Sequence, residues 1–193
     1  MGVEEKSLDE LVRGELQKEK DKRSRRRVLG ITAGALVVVI AVVVLIAVFV
    51  CPVLQISGDS MEDTLSDGDI VVAINSKNLK AGDVIAFYYG NEILLKRVIA
   101  TPGQWVDIDE EGNVYVDEQP VEEPYVSERM RGECDIELPY QVPEEKFFVL
   151  GDHRSVSVDS RSRAIGCIEK KMIIGKVVFR VWPLSDMGFV NES

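Results

Sequence analysis

Ser60 lies in a segment whose composition suits a serine nucleophile. Its neighbours over residues 57–64 (SGDSMEDT) are glycine and short polar side chains, a composition typical of a tight, exposed loop. A serine becomes a nucleophile when an adjacent base takes its proton. From this segment alone, a capping serine in a linker is the commoner arrangement.

Lys96 is the residue that could act as this base. It interrupts an apolar run over residues 93–100 (ILLKRVIA) that is typical of a β-strand. Alternation along the strand puts Leu94, Lys96 and Val98 on one face, and burial between apolar neighbours disfavours the charged ammonium. A lysine that extends to solvent from a strand edge is the commoner arrangement for such a run.

Other catalytic chemistries have weaker support in the sequence. The single histidine, His153, would have to face a serine and be oriented by a separate carboxylate to form a Ser-His-Asp triad. The chain contains no cluster with metal-ligand spacing and no glycine-rich phosphate loop. We therefore expect no metal and no other cofactor.

A long apolar run precedes Ser60 and must position it. The 23 residues from Val28 to Val50 carry no charge, and as a helix they would reach about 35 Å, enough to cross a hydrocarbon core. A cleaved signal has a shorter apolar region, of about 7–15 residues. We therefore predict a transmembrane helix over residues 28–51.

The charges on either side of this run predict its orientation. Residues 1–27 contain nine Lys/Arg, four of them among the last five residues, whereas no Lys or Arg follows the run until Lys77. The positive-inside rule predicts a cytoplasmic tail over 1–27 and an extracytoplasmic domain over 52–193 at the cell membrane. The net charge of -10 argues against nucleic acid as a partner.

The outer block is predicted to be mainly β, a barrel or a sandwich. Glycine, proline and Asp-Gly steps separate short β-rich runs. These runs are Ile70–Ile74, Val84–Tyr89, Ile93–Ala100, Trp105–Ile108, Val114–Val116, Phe147–Leu150 and Ile173–Val181. Residues 109–113 resemble a hairpin loop. The acidic stretch 121–145, within a variable region of about 109–145, is interpreted as a surface excursion.

Two features of the outer block stay open at this point. Cys134 and Cys167 lie where a disulfide is chemically allowed, but sequence does not bring them within bonding distance, and free thiols fit equally well. Trp182, Pro183 and the run 187–190 fit contact with a membrane interface as well as core packing.

Four segments of the chain, taken together, resemble the sequence boxes of type I signal peptidases. They are residues 58–65 (GDSMEDTL), 82–87 (GDVIAF), 96–104 (KRVIATPGQ) and 151–161 (GDHRSVSVDSR). Their order and spacing match the family, and the single preceding helix is similar to its Gram-positive-like, single-span form. The resemblance covers about residues 28–185.

The resemblance implies a role for several residues. Ser60 would be the nucleophile and Lys96 the general base, working through an acyl-enzyme. Ser157 matches the family serine that orients the lysine amine. The backbone N–H of Ser60 would form half of the oxyanion hole. Gly58 stands where some relatives contribute a serine hydroxyl to this hole, so a backbone group or water must serve.

The resemblance also implies two supporting ion pairs. Asp159 and Arg161 match a pair beneath the site, and Asp152 and Arg97 are interpreted in the same way. Ordinary surface salt bridges remain the alternative for these residues.

Two positions depart from the family pattern. Asp63 replaces a proline that would stiffen the nucleophile loop, and His153 replaces an asparagine. Neither change removes a reacting group.

The implied function is removal of signal peptides from exported precursors that carry small residues at the first and third positions before the cut. The bilayer is an expected partner, and the secretion translocon is a further candidate. A self-cleaving repressor of the LexA type shares the Ser/Lys chemistry but has no membrane span. A non-catalytic, signal-peptidase-like assembly factor for surface structures is the alternative that Asp63 keeps open.

Overall fold

The structure is a computed structural model that describes residues 28–45, 51–62, 64–76 and 78–190. It divides into two units, Met1–Ala47 and Val48–Ser193. The predicted cytoplasmic tail and Asp63 lie outside the described residues.

The first unit contains one apolar helix, α1, over Val28–Leu45. Its 18 residues are long and apolar enough to cross a membrane. The helix covers the first part of the predicted span 28–51, and residues 46–50 lie outside the described residues. An N-terminal helix of this kind is consistent with a membrane anchor.

The second unit is built from twelve described strands. They are β1 (Val53–Gln55), β2 (Ile70–Ile74), β3 (Val84–Tyr89), β4 (Glu92–Ala100), β5 (Trp105–Ile108), β6 (Val114–Val116), β7 (Gln119–Pro120), β8 (Tyr140–Gln141), β9 (Lys146–Leu150), β10 (Ile168–Glu169), β11 (Ile173–Trp182) and β12 (Gly188–Phe189). Each strand run predicted from the sequence matches one of them, within one residue at either end.

These strands form two antiparallel sheets, which confirms the predicted mainly β fold. The larger sheet has the order β1-β2-β11-β3-β4-β9-β10, with β12 paired to β11. The smaller sheet has the order β7-β6-β5-β8. The predicted hairpin loop joins β5 to β6 and is closed by a hydrogen bond from the Asp109 N–H to the Asn113 carbonyl.

Strand β4 is buried along most of its length and occupies an interior position between β3 and β9. Its last six residues are all buried, which suits a run of apolar residues with few polar interruptions. Arg97 on β4 pairs with Leu150 on β9. This register brings the chain that leaves β9, beginning with Gly151, beside Lys96.

Three clusters of buried apolar side chains hold the unit together. One packs the chain after β1 against the larger sheet and includes Ile56, Met61 and Leu65. The second lies between the smaller sheet and the ends of β4 and β9, and the third covers β3, β4 and β9. Met61 and Leu65, each 1% exposed, therefore anchor the loop that carries Ser60.

The acidic excursion has more structure than the sequence indicates. The region 109–145 supplies β6, β7 and β8 to the smaller sheet. Within it, Glu123, Val126 and Val142 are buried. The sequence predicted β6 but neither β7 nor β8, because these two strands have only two residues each, too few for alternation to be read.

Cys134 and Cys167 are free thiols, which answers the question that the sequence leaves open. Burial raises the pKa of Cys167 to about 11, so this thiol stays protonated at neutral pH.

Candidate active site

Ser60 and Lys96, 36 residues apart in the chain, meet in the structure. The Lys96 Nζ donates a hydrogen bond to Ser60 Oγ at 2.6 Å. Ser60 lies in the turn that follows Gly58 and is partly exposed, whereas Lys96 projects from the buried part of β4. The Ser60 hydroxyl is therefore accessible to a substrate. It is also hydrogen-bonded to the Lys96 amine, which in its neutral form can take the hydroxyl proton.

The amine of Lys96 is held in an environment that favours its neutral form. The residue is 3% exposed, which excludes the solvent-directed arrangement considered from the sequence. Burial lowers the pKa of Lys96 from 10.5 to about 8; Asp159 and Asp152 oppose this shift and Arg161 adds to it. At mildly alkaline pH a large fraction of the amine is therefore free to act as a base.

Arg97 and Asp152 form a buried pair next to Lys96. The Arg97 Nε and Nη2 donate to the two Asp152 carboxylate oxygens at 2.9 and 2.7 Å, and both side chains are 1% exposed. Thr64 joins them, because its hydroxyl donates to Asp152 at 2.5 Å. A bidentate pair of this kind fixes geometry as well as charge, so the surface salt bridge considered from the sequence is excluded.

Asp159 and Arg161 form a second buried pair. The Arg161 Nε and Nη2 donate to the Asp159 carboxylate, both at 2.9 Å. Asp159 also accepts a hydrogen bond from the Gly151 N–H at 3.0 Å, and Arg161 donates to the Ser157 carbonyl at 3.3 Å. This pair therefore stabilises both ends of the loop that runs from Gly151 to Ser157.

Ser157 and the Ser60 carbonyl both pack against Gly151. A Cβ on Gly151 would come within 2.5 Å of both Ser157 Cβ and the Ser60 carbonyl oxygen. The Ser157 hydroxyl is buried and has no hydrogen-bond partner among the described residues. Its predicted bond to the lysine amine is not formed in this structure, so that role stays a prediction.

The backbone around Ser60 bears on the expected oxyanion hole. Gly58 has a φ of +91°, in the left-handed region that favours glycine. Its N–H donates to Asp67 Oδ1 at 2.8 Å and is therefore not available to a substrate. The Ser60 carbonyl accepts from the His153 N–H at 3.2 Å. The Ser60 N–H remains the expected donor, and its role stays a prediction.

Four further residues contact this network although the sequence did not single them out. Thr64 donates to Asp152, Tyr125 packs against Arg97, and Arg154 donates to both the Gly151 carbonyl and Glu123. Thr64 and Arg154 lie inside the family-like boxes, so the boxes could have indicated them. Glu123 and Tyr125 lie in the acidic excursion, which has no periodicity that would mark them. Within the described ranges, no group of three or more His, Cys, Asp or Glu could hold a metal ion.

Comparison with known proteins gives matches over most of the chain. The family model described as signal peptidase, peptidase S26, matches residues 29–182. Signal peptidase IB of Staphylococcus aureus (strain MRSA252) is 31% identical over 175 residues, or 80% of this chain and 90% of that protein. Signal peptidase I of Bacillus amyloliquefaciens is 31% identical over 183 residues, 89% of this chain and 98% of that protein.

A solved structure also matches part of the chain. The crystal structure of a signal peptidase I from Enterococcus faecalis V583 aligns with a TM-score of 0.44 and 26% identity. The alignment covers 52% of this chain and 97% of that structure.

Proposed function

Because the chain belongs to the signal peptidase family, peptidase S26, we propose that it removes N-terminal signal peptides from exported precursor proteins. It acts as a membrane-bound serine endopeptidase with Ser60 as nucleophile and Lys96 as general base. The observation that carries this proposal is the 2.6 Å hydrogen bond between Lys96 Nζ and Ser60 Oγ, made by an amine that burial shifts towards its neutral form.

The first half of the reaction forms an acyl-enzyme. Neutral Lys96 takes the proton of the Ser60 hydroxyl as Oγ attacks the carbonyl carbon of the scissile peptide bond. The Ser60 N–H donates to the oxygen that becomes negatively charged. Lys96 then gives its proton to the leaving amine, the C–N bond breaks, and the signal peptide stays bound to Ser60 as an ester.

The second half releases the signal peptide. A water molecule gives a proton to Lys96 as its oxygen attacks the ester carbonyl, and the bond to Ser60 Oγ breaks. The proton returns from Lys96 to Ser60 Oγ, which restores the resting enzyme. The buried pairs Arg97–Asp152 and Asp159–Arg161 keep the two reacting side chains in place through both steps.

The substrates are proposed to carry small residues, typically alanine, at the first and third positions before the cut. The family resemblance implies this class. The proposed site of action is the outer face of the cell membrane, with residues 1–27 in the cytoplasm. Helix α1 and the basic residues that precede it in the sequence support this orientation.

A lipid surface is the second proposed partner, and an exposed apolar patch supports it. We define the apolar patch by its most exposed members, Trp182 (53%), Leu184 (67%), Met187 (54%) and Phe189 (79%). Phe189 continues a row of paired residues that leads through Phe179 and Val72 to Val53. Val53 follows the end of the apolar run by three residues in the sequence.

Cleavage of a model precursor with an Ala-x-Ala site tests the function. The full chain in detergent should cut at the predicted bond, whereas Ser60→Ala and Lys96→Ala should both be inactive. Ser155→Ala and Lys171→Ala serve as matched controls, because Ser155 is exposed and the Lys171 side chain is 81% exposed. Mass spectrometry after a brief reaction and an acid quench should find the signal peptide esterified to Ser60.

Each of the other outcomes has a definite meaning. Cleavage by folded Lys96→Ala at the wild-type rate would rule out lysine as the base. A folded wild-type chain that cuts no precursor would favour the non-catalytic assembly factor. Such a protein would keep its function in both Ser60→Ala and Lys96→Ala.

A further inference from the structure

Glu123 is a buried carboxylate contributed by the acidic excursion. It is 2% exposed, unlike its exposed neighbour Glu122. Its Oε1 accepts a hydrogen bond from Arg154 Nη2 at 2.5 Å, and both side chains of this pair are 1% exposed. A charge is buried in this way only when it is paired and hydrogen-bonded. The pair with Arg154 therefore holds the acidic excursion against the residues around the site.

Tyr125 extends this contact to the lysine strand. Its hydroxyl donates to Glu123 Oε1 at 3.1 Å, and the Arg97 guanidinium carbon lies 3.9 Å from the centre of its ring. Burial and the neighbouring Glu123 raise the pKa of Tyr125, so the hydroxyl remains a donor. Arginine over an aromatic face is an attractive contact that strengthens when it is desolvated.

The two arginines belong to two different segments of the site. Arg97 follows Lys96 on β4, and Arg154 follows Gly151 by three residues. The Arg154 Nε donates to the Gly151 carbonyl at 3.1 Å, and the Arg154 carbonyl accepts from Arg161 Nη2 at 3.0 Å. One short segment of the excursion thus contacts both the strand that carries Lys96 and the loop that packs against Ser60.

We propose that Glu123 and Tyr125 are positioning residues for the peptidase reaction. By fixing Arg154 and Arg97, they hold the Gly151 loop and β4 in the arrangement that keeps Lys96 Nζ bonded to Ser60 Oγ. This inference rests on the proposed Ser60/Lys96 chemistry. Because a displacement of about 1 Å can cost about 100-fold in rate, residues that touch neither reacting atom can still control the rate.

The test uses the full-length chain in detergent with four variants. Tyr125→Leu removes the ring from Arg97, Tyr125→Phe keeps the ring but removes the bond to Glu123, and Glu123→Gln removes the charge opposite Arg154. Glu122→Gln is the matched control, since it makes the same change at the exposed neighbouring position. The kcat and KM for the Ala-x-Ala precursor are measured together with the thermal unfolding midpoint.

A positioning role predicts a loss in kcat and not in KM. We expect Tyr125→Leu and Glu123→Gln to lower kcat by about tenfold or more, with KM within about twofold of wild type. Tyr125→Phe should lose less, and Glu122→Gln should match wild type. Glu123→Gln leaves the buried Arg154 unpaired and could prevent folding. In that case the two Tyr125 variants, which change no charge, decide the result. Folded Tyr125→Leu with wild-type kcat, or with a change in KM alone, would overturn the proposal.

A second readout is independent of precursor cleavage. The rate at which a small amine-reactive reagent modifies Lys96 is followed by mass spectrometry over a range of pH. Its midpoint in wild type should lie near the lowered pKa of about 8. In Tyr125→Leu, water that reaches the site should move the midpoint towards 10.5, because burial is the main cause of the shift. The charges of Asp152, Asp159 and Arg161 are the same in both proteins.

This readout separates the two proposals. If wild type cleaves no precursor, the proposed function fails, and a shifted midpoint in Tyr125→Leu still supports positioning of Lys96. An unchanged midpoint in folded Tyr125→Leu would contradict positioning even if wild type is an active peptidase. A purely structural role would lower the unfolding midpoint and leave both kcat and the Lys96 midpoint at their wild-type values.

Discussion

Three buried carboxylates, those of Asp152, Asp159 and Glu123, each pair with an arginine and not with Lys96. The pairs are Arg97–Asp152, Arg154–Glu123 and Arg161–Asp159. Among the buried charged side chains of the described residues, Lys96 is the one without an ion-pair partner. Burial without a counter-ion shifts the equilibrium of a lysine towards the neutral amine, which is the form that a general base requires.

The pH dependence of cleavage should follow the ionisation of Lys96. Below about pH 8 the amine is mostly protonated and cannot accept the Ser60 proton, so kcat/KM should rise as the pH rises through this value. The profile is measured on the Ala-x-Ala precursor between about pH 6 and pH 10. A rising limb near the ordinary lysine value of 10.5 would contradict the assignment.

The same ionisation should lower the stability of the folded chain. A folded-state pKa below the unfolded value means that the unfolded chain binds more protons between about pH 8 and pH 10.5, so stability rises with pH in that window. Replacing Lys96 by methionine should therefore stabilise the protein at neutral pH by about 3 kcal/mol at most. Denaturant unfolding of both proteins at several pH values measures this difference.

The gain in Lys96→Met should shrink as the pH approaches 10.5. Lys171→Met is the control, because its exposed side chain should give no gain at any pH. A gain that is independent of pH would mean that packing and not ionisation is responsible.

The sequence predicts the reacting residues better than it predicts Glu123 and Tyr125, which support them. Ser60 and Lys96 lie in boxes whose order and spacing resemble a known family, so their chemistry could be predicted. Glu123 and Tyr125 could not, because they act through partners 31 and 28 residues away in a segment without a secondary-structure period. Contacts of this kind depend on tertiary packing.

At the scale of elements, the site depends on how closely β4 and the chain after β9 approach each other. Arg97 on β4 pairs with Leu150 on β9, and Gly151 follows at once. Since glycine has no Cβ, the Ser60 carbonyl and the Ser157 side chain can both pack closely against it. The strands themselves were predictable from their β-branched runs, but this approach of loops was not, because it depends on register.

Gly151→Ala should therefore disrupt the site. The added Cβ would meet the Ser157 side chain and the Ser60 carbonyl, and the shift that relieves this overlap should lower kcat/KM by about 100-fold. Gly188→Ala is the matched control, since a Cβ there meets nothing within 4 Å. Both variants are compared by precursor cleavage and thermal unfolding. Wild-type activity in folded Gly151→Ala would show that the loop tolerates the change.

At the scale of the whole molecule, charge and hydrophobicity are segregated along the chain. The apolar run predicted an N-terminal helix, and its described part is helical. The apolar patch could not be separated from core packing by sequence, because both use the same residue types. Exposure of Trp182 and Phe189 in the structure favours the interfacial alternative that the sequence leaves open.

Contact between the apolar patch and lipid can be measured by fluorescence. The chain has two tryptophans, so Trp105→Phe leaves Trp182 as the single probe in protein reconstituted into vesicles. Brominated lipids should quench this emission, because the indole ring prefers the membrane interface. Trp182→Phe, which leaves Trp105 on the smaller sheet, should show less quenching. Equal quenching of the two probes, or none, would contradict the assignment.

The position of β11 in the larger sheet bears on when the proposed Ser60–Lys96 pair can first form. The sheet order sets β11 between β2, which follows the Ser60 loop, and β3, which leads into the Lys96 strand. In the larger sheet these two halves are joined only through β11, which is made after both of them. We therefore expect the Ser60–Lys96 hydrogen bond to form only after β11 has been made. The proposed active site would then be completed late in the synthesis of the chain.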